Sequence, residues 1–225
     1  MRERACICVF ARPAIPGQTK TRLAAAVGDE AAATLARAFF ADAWLTARKQ
    51  PDADCVLATT SSPDGTLALE PDTAVWLQGE GDLGARMERI LRRALAAQPL
   101  AFAVGADIPG LPQRLWDAAR TLLDDTDAVI GPCDDGGFHL LGLRRCPPGL
   151  LADIPWSARE TCERTIARLK SAGMRVRQLP VWFDIDEFPD LQRFHGLLQR
   201  GEVVAPHTES ALLKLAARGV VLGQA

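Results

Sequence analysis

Three sets of aspartates each follow directly on a short apolar or extended run. Asp107 comes after Leu100–Val104, Asp134 and Asp135 after Ala128–Ile130, and Asp184 with Asp186 after Val181–Phe183. Apolar runs of this length read as buried strands. If those strands are parallel neighbours, their carboxyl ends gather on one edge of a sheet, where open α/β sheets bind ligands. Converging carboxylates repel one another unless a divalent cation neutralises them. Hard oxygen donors suit Mg²⁺ or Mn²⁺, with substrate phosphates completing the shell. Aspartate is also an ordinary turn former and N-cap, so the reading rests on the three sets together and on no single residue.

A second chemical feature is the loop from Phe10 to Arg22, which leaves an apolar run and enters a helical pattern. Arg12, Lys20 and Arg22 supply positive charge, while Pro13, Pro16 and Gly17 shape the backbone for close approach to a ligand. Backbone N–H groups at such a helix start attract phosphate; the alternative is a solvated basic helix start. Gly17-Gln18-Thr19-Lys20-Thr21 is not a P-loop, because Thr19 stands where that motif needs glycine. There is no Gly-x-Ser-x-Gly elbow and no zinc-type cysteine or histidine spacing. His195 and His207 read as exposed helix residues, whereas His139 follows the Asp135-Gly136-Gly137 turn and is open to a substrate role.

The elements that must position these groups alternate between strand and helix. Strands are expected at Ala5–Phe10, Cys55–Thr59, Ala74–Leu77, Leu100–Val104 and Ala128–Ile130. Helices are expected from Thr19 to Gly28, over Glu30–Lys49, over Leu83–Ala97 with Asp82 as N-cap, and over Leu115–Leu123. Such alternation requires crossover connections and gives a mostly parallel sheet with helices on both faces. The rhythm then changes. Gly136–Leu143 reads as a strand without a crossover helix, Ser157 and Glu160 as a capping box for a helix to about Ser171, and Met174–Phe183 as an extended segment limited by Pro180. Helices near Asp190–Gln199 and Glu209–Arg218 follow. No domain boundary shows, so residues 1–225 are read as one domain.

The composition narrows the function. A net charge of −2 argues against a nucleic-acid partner, and Arg86, Arg89 and Arg93 read as one solvated helix face interrupted by Glu88. No run approaches the length of a membrane span, so a cytoplasmic protein is expected. The six cysteines are expected to be reduced, structural thiols.

The ordered motifs resemble a bacterial group of GT-A-type, cofC-like glycosyltransferases. They are Phe10-Ala11-Arg12-Pro13 with Pro16-Gly17 and Lys20-Thr21-Arg22-Leu23; Gln78-Gly79 with Gly81-Asp82-Leu83-Gly84 and Arg86-Met87; Gly105-Ala106-Asp107 with Pro109-Gly110-Leu111-Pro112; Gly131-Pro132 with Asp135-Gly136-Gly137-Phe138; and Trp156-Ser157 with Asp184-Ile185-Asp186. The resemblance implies a three-layer αβα, GT-A-like (Rossmann-like) fold, with some antiparallel content in the C-terminal half. It implies that Ala11, Arg12, Pro13, Gly17, Lys20 and Arg22 hold a nucleotide and its phosphates, and that Gln78, Asp82 and Arg86 line its base or ribose side. Asp107 would bind the metal, with Asp184 or Asp186 as second ligand, and the Asp135 segment would face the acceptor. The expected reaction is glycosyl transfer from a nucleotide sugar, with the cation and Lys20 or Arg22 stabilising the departing diphosphate and Asp135 or His139 as acceptor base. The alternative is nucleotidyl transfer from a nucleoside triphosphate; a binding protein without turnover is the third reading. Phe138 and His139 replace the family's tyrosines, Ala158 replaces a threonine, and Glu187-Phe188-Pro189-Asp190 displaces a helix-starting proline.

Overall fold

In the computed structural model, described for residues 3–62, 65, 67 and 69–217, the apolar runs form one seven-stranded sheet. The strands are β1 (Ala5–Ala11), β2 (Ala53–Thr59), β3 (Ala74–Leu77), β4 (Leu100–Gly105), β5 (Ala128–Pro132), β6 (Phe138–Leu143) and β7 (Val176–Gln178), in the order β3-β2-β1-β4-β6-β5-β7. The helices are α1 (Thr21–Val27), α2 (Asp29–Arg48), α3 (Leu83–Ala97), α4 (Gln113–Asp125), α5 (Thr161–Ser171), α6 (Phe188–Gln199) and α7 (Pro206–Ala216). The expected end of the last helix at Arg218 lies outside the described residues.

Strand alternation divides the core into layers. Ile7 and Val9 of β1 join Phe102 and Val104 of β4 beneath α2 and α4. Cys6 and Cys8 turn to the opposite face, beside Ala101, Ala103 and the α3 residues Met87, Ile90 and Leu91. A third cluster joins Leu35 and Phe39 of α2 to Phe194 of α6 and Leu212 of α7. Helix α2 is therefore apolar on two sides, because it lies between the sheet and α7. Asp42, buried in α2, accepts the backbone N–H groups of His207 and Thr208 and so caps α7.

Three expectations are corrected. β1 and β4 pair in parallel, but β5 is not their neighbour: β6 inserts between β4 and β5, antiparallel to both. β5 still runs in the direction of β4, so its carboxyl end reaches the same edge. The proposed cap at Ser157 is absent. Ser157 has φ 62° and α5 begins at Thr161, whose hydroxyl accepts from the Ala158 N–H and donates to the Pro155 carbonyl. A reciprocal capping box occurs instead between Glu187 and Asp190, and it starts α6 at Phe188. The extended region after Met174 pairs only over Val176–Gln178; Pro180 interrupts it, and Trp182 resumes a bridge with Cys133.

Gly142 sits opposite both Phe102 and Val129 in the ladder, and a Cβ there would lie 2.6 Å and 2.7 Å from their side chains. Gly142→Ala is expected to destabilise the protein by about 1–3 kcal/mol, the usual cost of overpacking a filled core, seen as a lower urea midpoint at unchanged slope. An unchanged midpoint would show that β6 packs less closely against its neighbours.

Candidate functional site

The loops after β1, β4 and β5 emerge on one side of the sheet, and the segment from Leu179 to Glu187 closes over them. That segment is tied down by Leu179 N–H to Ile130 O (2.8 Å), Trp182 N–H to Pro132 O (3.0 Å) and Ile185 N–H to Asp107 O (3.1 Å). Its alternation decides what points where: Phe183 and Ile185 are buried in the third cluster. Asp184 and Asp186 therefore turn together to the other side. Asp190 fixes the end of the segment by accepting the N–H groups of Asp186 and Glu187 at 3.1 and 2.8 Å. The displaced proline thus leaves the helix start intact.

Asp107, Asp184 and Asp186 meet there, with one carboxylate oxygen from each within 4.8 Å of the others. Lys20 enters this group from the β1 loop. Its ammonium donates to Asp107 Oδ2 at 3.1 Å and closely to Asp186 Oδ1. Lys20 takes the left-handed conformation (φ 50°, ψ 49°) at the residue before α1, an uncommon and strained state for a non-glycine residue. Burial by itself would lower the Lys20 pKa, but the charges of Asp107 and Asp186 outweigh it and raise the group above its ordinary value. The ammonium thus stands in for a cation among carboxylates, which is the observation that the residues fit a divalent metal. Burial first, and then the charges of Asp107, Asp186 and Asp135, push the Asp184 carboxyl up to about 7, with Lys20 opposing.

The other predicted residues are distributed around this centre. Ala11 ends β1, and the loop beyond it is knit by Thr19, whose hydroxyl accepts from Ile15 N–H and donates to Pro13 O. Gly17 has φ 77° and lies near Asp29. Arg12 is exposed, and Arg22 reaches Glu187 at 3.5 Å. Since α1 has only seven residues, the positive charge of this loop comes from these side chains more than from a helix terminus. Gln78, Asp82 and Arg86 lie on the turn from β3 into α3, and their polar groups hold that turn. Gln78 Nε2 donates to Ala58 O, Asp82 accepts the Ala85 N–H, and Arg86 donates to Asp82 O. Arg89 and Arg93, read as solvated, are engaged too: Arg89 donates to Gln78 O and Glu80 O, and the Arg93 guanidinium lies 4.0 Å from the Trp76 ring centroid.

Asp135 follows β5, accepts the Gly137 N–H and is exposed at the rim. Asp134 turns away to Arg193. His139 is separated from the carboxylates by its setting: it is 1% exposed, its ring lies against Gly131, and Nε2 is 3.3 Å from Pro180 O. Burial lowers its pKa to about 4. A neutral imidazole so enclosed fills space beside β5. Cys133, expected to be a structural thiol, is free and buried, and its sulfur lies within 4.8 Å of Asp135 and Asp184 oxygens.

The comparisons agree with this architecture. A family model described as "Uncharacterized protein conserved in bacteria (DUF2064)" matches residues 21–158, more than half of the chain. Among curated proteins no sequence matches. A structure from Desulfovibrio desulfuricans G20, provisionally described as a nucleotide-diphospho-sugar transferase, is similar at 29% identity and TM-score 0.82, covering 96% of each chain. CMP:2-keto-3-deoxy-manno-octonic acid synthetase complexed with CTP shares the fold at 12% identity and TM-score 0.59, over 88% of this chain and 99% of that one. The 4-diphosphocytidyl-2C-methyl-D-erythritol synthase of Anaerococcus prevotii DSM 20548 does so at 10% and 0.56, over 88% and 99%.

The Asp184 shift sets a pH dependence. Its carboxyl titrates near 7 in the folded chain and near 3.8 when unfolded, so the folded state holds the extra proton between those values. This group's contribution to stability is complete below about 3.8 and is lost as pH rises through about 7. Without divalent ions, the melting temperature of wild type should fall more steeply between pH 5 and 8 than that of Asp184→Asn. Equal slopes would mean that Asp184 ionises normally.

Proposed function

The chain belongs to this bacterial family, DUF2064, and on that premise we propose that it is a divalent-metal-dependent transferase that uses a nucleotide-diphosphate sugar as donor. The observation that supports this most is the lodging of the Lys20 ammonium between Asp107 and Asp186, beside Asp184, at the carboxyl edge of β1 and β4. Asp107, Asp186 and Asp184 would hold Mg²⁺ or Mn²⁺, which supplies charge stabilisation for a departing diphosphate. The 29% identical relative carries a nucleotide-diphospho-sugar transferase description over nearly its whole length, which supports a sugar donor.

The chain's own residues account for the rest. Lys20 is fully charged and pre-positioned, so a small displacement of its ammonium from the carboxylates places it on a phosphate oxygen. Arg12 and Arg22 extend positive charge along the same loop. Asp135, exposed at the rim on a rigid Asx turn, is the candidate to orient the acceptor hydroxyl and accept its proton. Gln78, Asp82 and Arg86 shape the wall of the nucleotide side through the β3–α3 turn. The same three cations would also serve a triphosphate, which keeps nucleotidyl transfer to a phosphorylated acceptor as the second reading.

Nucleoside diphosphates should raise the melting temperature only together with Mg²⁺ or Mn²⁺; at about 100 times the dissociation constant the stabilisation is about 2.7 kcal/mol. Asp107→Asn should abolish the effect and Lys20→Ala should weaken it. Asp127→Asn, at the opposite end of β5 beside Arg175, should leave it intact. Incubation with nucleotide sugars or nucleoside triphosphates then separates the reactions, since diphosphate release marks sugar transfer and pyrophosphate release marks nucleotidyl transfer. No ion-dependent stabilisation by any common nucleotide would refute both.

A further inference from the structure

Five of the six cysteines sit where an apolar side chain would sit. Cys6, Cys8 and Cys162 belong to the cluster under α3 and α5, Cys146 packs against it, and Cys55 packs against the cluster on the other face. Cys133 belongs to none of the three apolar clusters, although it is only 7% exposed. Its sulfur makes no hydrogen bond among the described residues and lies within 4.8 Å of carboxylate oxygens of Asp135 and Asp184. The backbone holds it rigidly, through Cys133 N–H to Gly137 O (2.9 Å), Gly136 N–H to Cys133 O (3.2 Å) and the bridge to Trp182. A buried thiol without an apolar setting, aimed at two carboxylates, is poorly explained as packing.

We propose that Cys133, Asp135 and Asp184 form a second cation site, one that takes a borderline-soft divalent ion of the zinc, cadmium or cobalt class. Thiolate selects such ions, whereas Mg²⁺ and Ca²⁺ prefer oxygen. Sulfur and oxygen ligands at about 2.3 and 2.0 Å from a tetrahedral ion stand roughly 3.5 Å apart. The ligand atoms, all within 4.8 Å of one another, therefore close up by at most about 1.3 Å to reach that geometry. As the sulfur–metal bond forms, the thiol proton leaves to solvent. Three protein ligands leave a fourth position for water or a phosphate oxygen. Asp184 is shared with the carboxylate group at Asp107 and Asp186, so a soft ion here withdraws a ligand from the hard-ion site. That antagonism rests on the function proposed above; binding of the soft ion does not.

The test is titration of the purified protein with Co²⁺, followed by the near-ultraviolet sulfur-to-cobalt charge-transfer absorption. Wild type should develop the band and saturate at one equivalent, Cys133→Ser should lose it, and Asp107→Asn should keep it. Circular dichroism checks that Cys133→Ser is folded. Should it not fold, Asp135→Asn gives the second reading, a Co²⁺ affinity lower by at least about tenfold, since even outer-shell losses cost about 10–100-fold. In wild type, Cd²⁺ should also suppress the Mn²⁺-dependent stabilisation by nucleotide, and in Cys133→Ser it should not. A wild type without the band, or a folded Cys133→Ser that retains it, overturns the proposal. A band that survives while no nucleotide stabilises the protein refutes the transferase reading alone.

Discussion

Mutual repulsion among carboxylates held close together is the constraint on which the rest of the site depends. Two unit charges 4.8 Å apart, the outer limit for the Asp107, Asp184 and Asp186 oxygens, repel by roughly 3–4 kcal/mol at an effective dielectric constant near 20. The protein relieves part of this with the Lys20 ammonium and part through the raised pKa of Asp184. Both responses leave one divalent charge as the larger remedy. The strained backbone at Lys20 fits the same logic, because a regular helix start would not aim that side chain into the group.

The sheet provides the convergence. Parallel pairing of β1 with β2 and β4 puts the loops after β1 and β2 and Asp107 on one edge. Antiparallel β6 moves β5 one place outward while keeping its direction. The extra width is spanned by the segment after β7, which runs back along β5 toward Asp107 and presents Asp184 and Asp186 by simple alternation. Long-range backbone bonds, from Trp182 to Pro132 and from Ile185 to Asp107, make the site a property of the whole sheet.

Much of this was legible in the residues. Aspartates following apolar runs marked the edge, and the Lys20 loop, the Asp82 cap and the layered α/β class followed from spacing and periodicity. The antiparallel content of the C-terminal half was expected from the resemblance and is present, but the insertion of β6 between β4 and β5 was not legible, because a strand buried on both faces shows the same apolar pattern at either place. His139 looked available because it follows a glycine turn; its enclosure depends on Gly131 across the ladder and Pro180 beyond it, both remote in sequence. The Ser157 cap failed because the chain there is drawn against Gly136, where an added Cβ would lie 2.0 Å from the Arg159 carbonyl oxygen. Cys133 was read with the other thiols as packing; its nearness to Asp184 follows from the bridge to Trp182, remote in sequence.

Whether the three carboxylates and Lys20 form one cation-and-phosphate centre can be read from a crystal structure with Mn²⁺ and a nucleoside diphosphate, in which the anomalous signal places the ion. A manganese peak is expected at Asp107 and Asp186, with Lys20 Nζ moved from their carboxylates onto a phosphate oxygen. A peak elsewhere, or a nucleotide bound with the Lys20 ion pairs unbroken and no manganese beside Asp107, would contradict it.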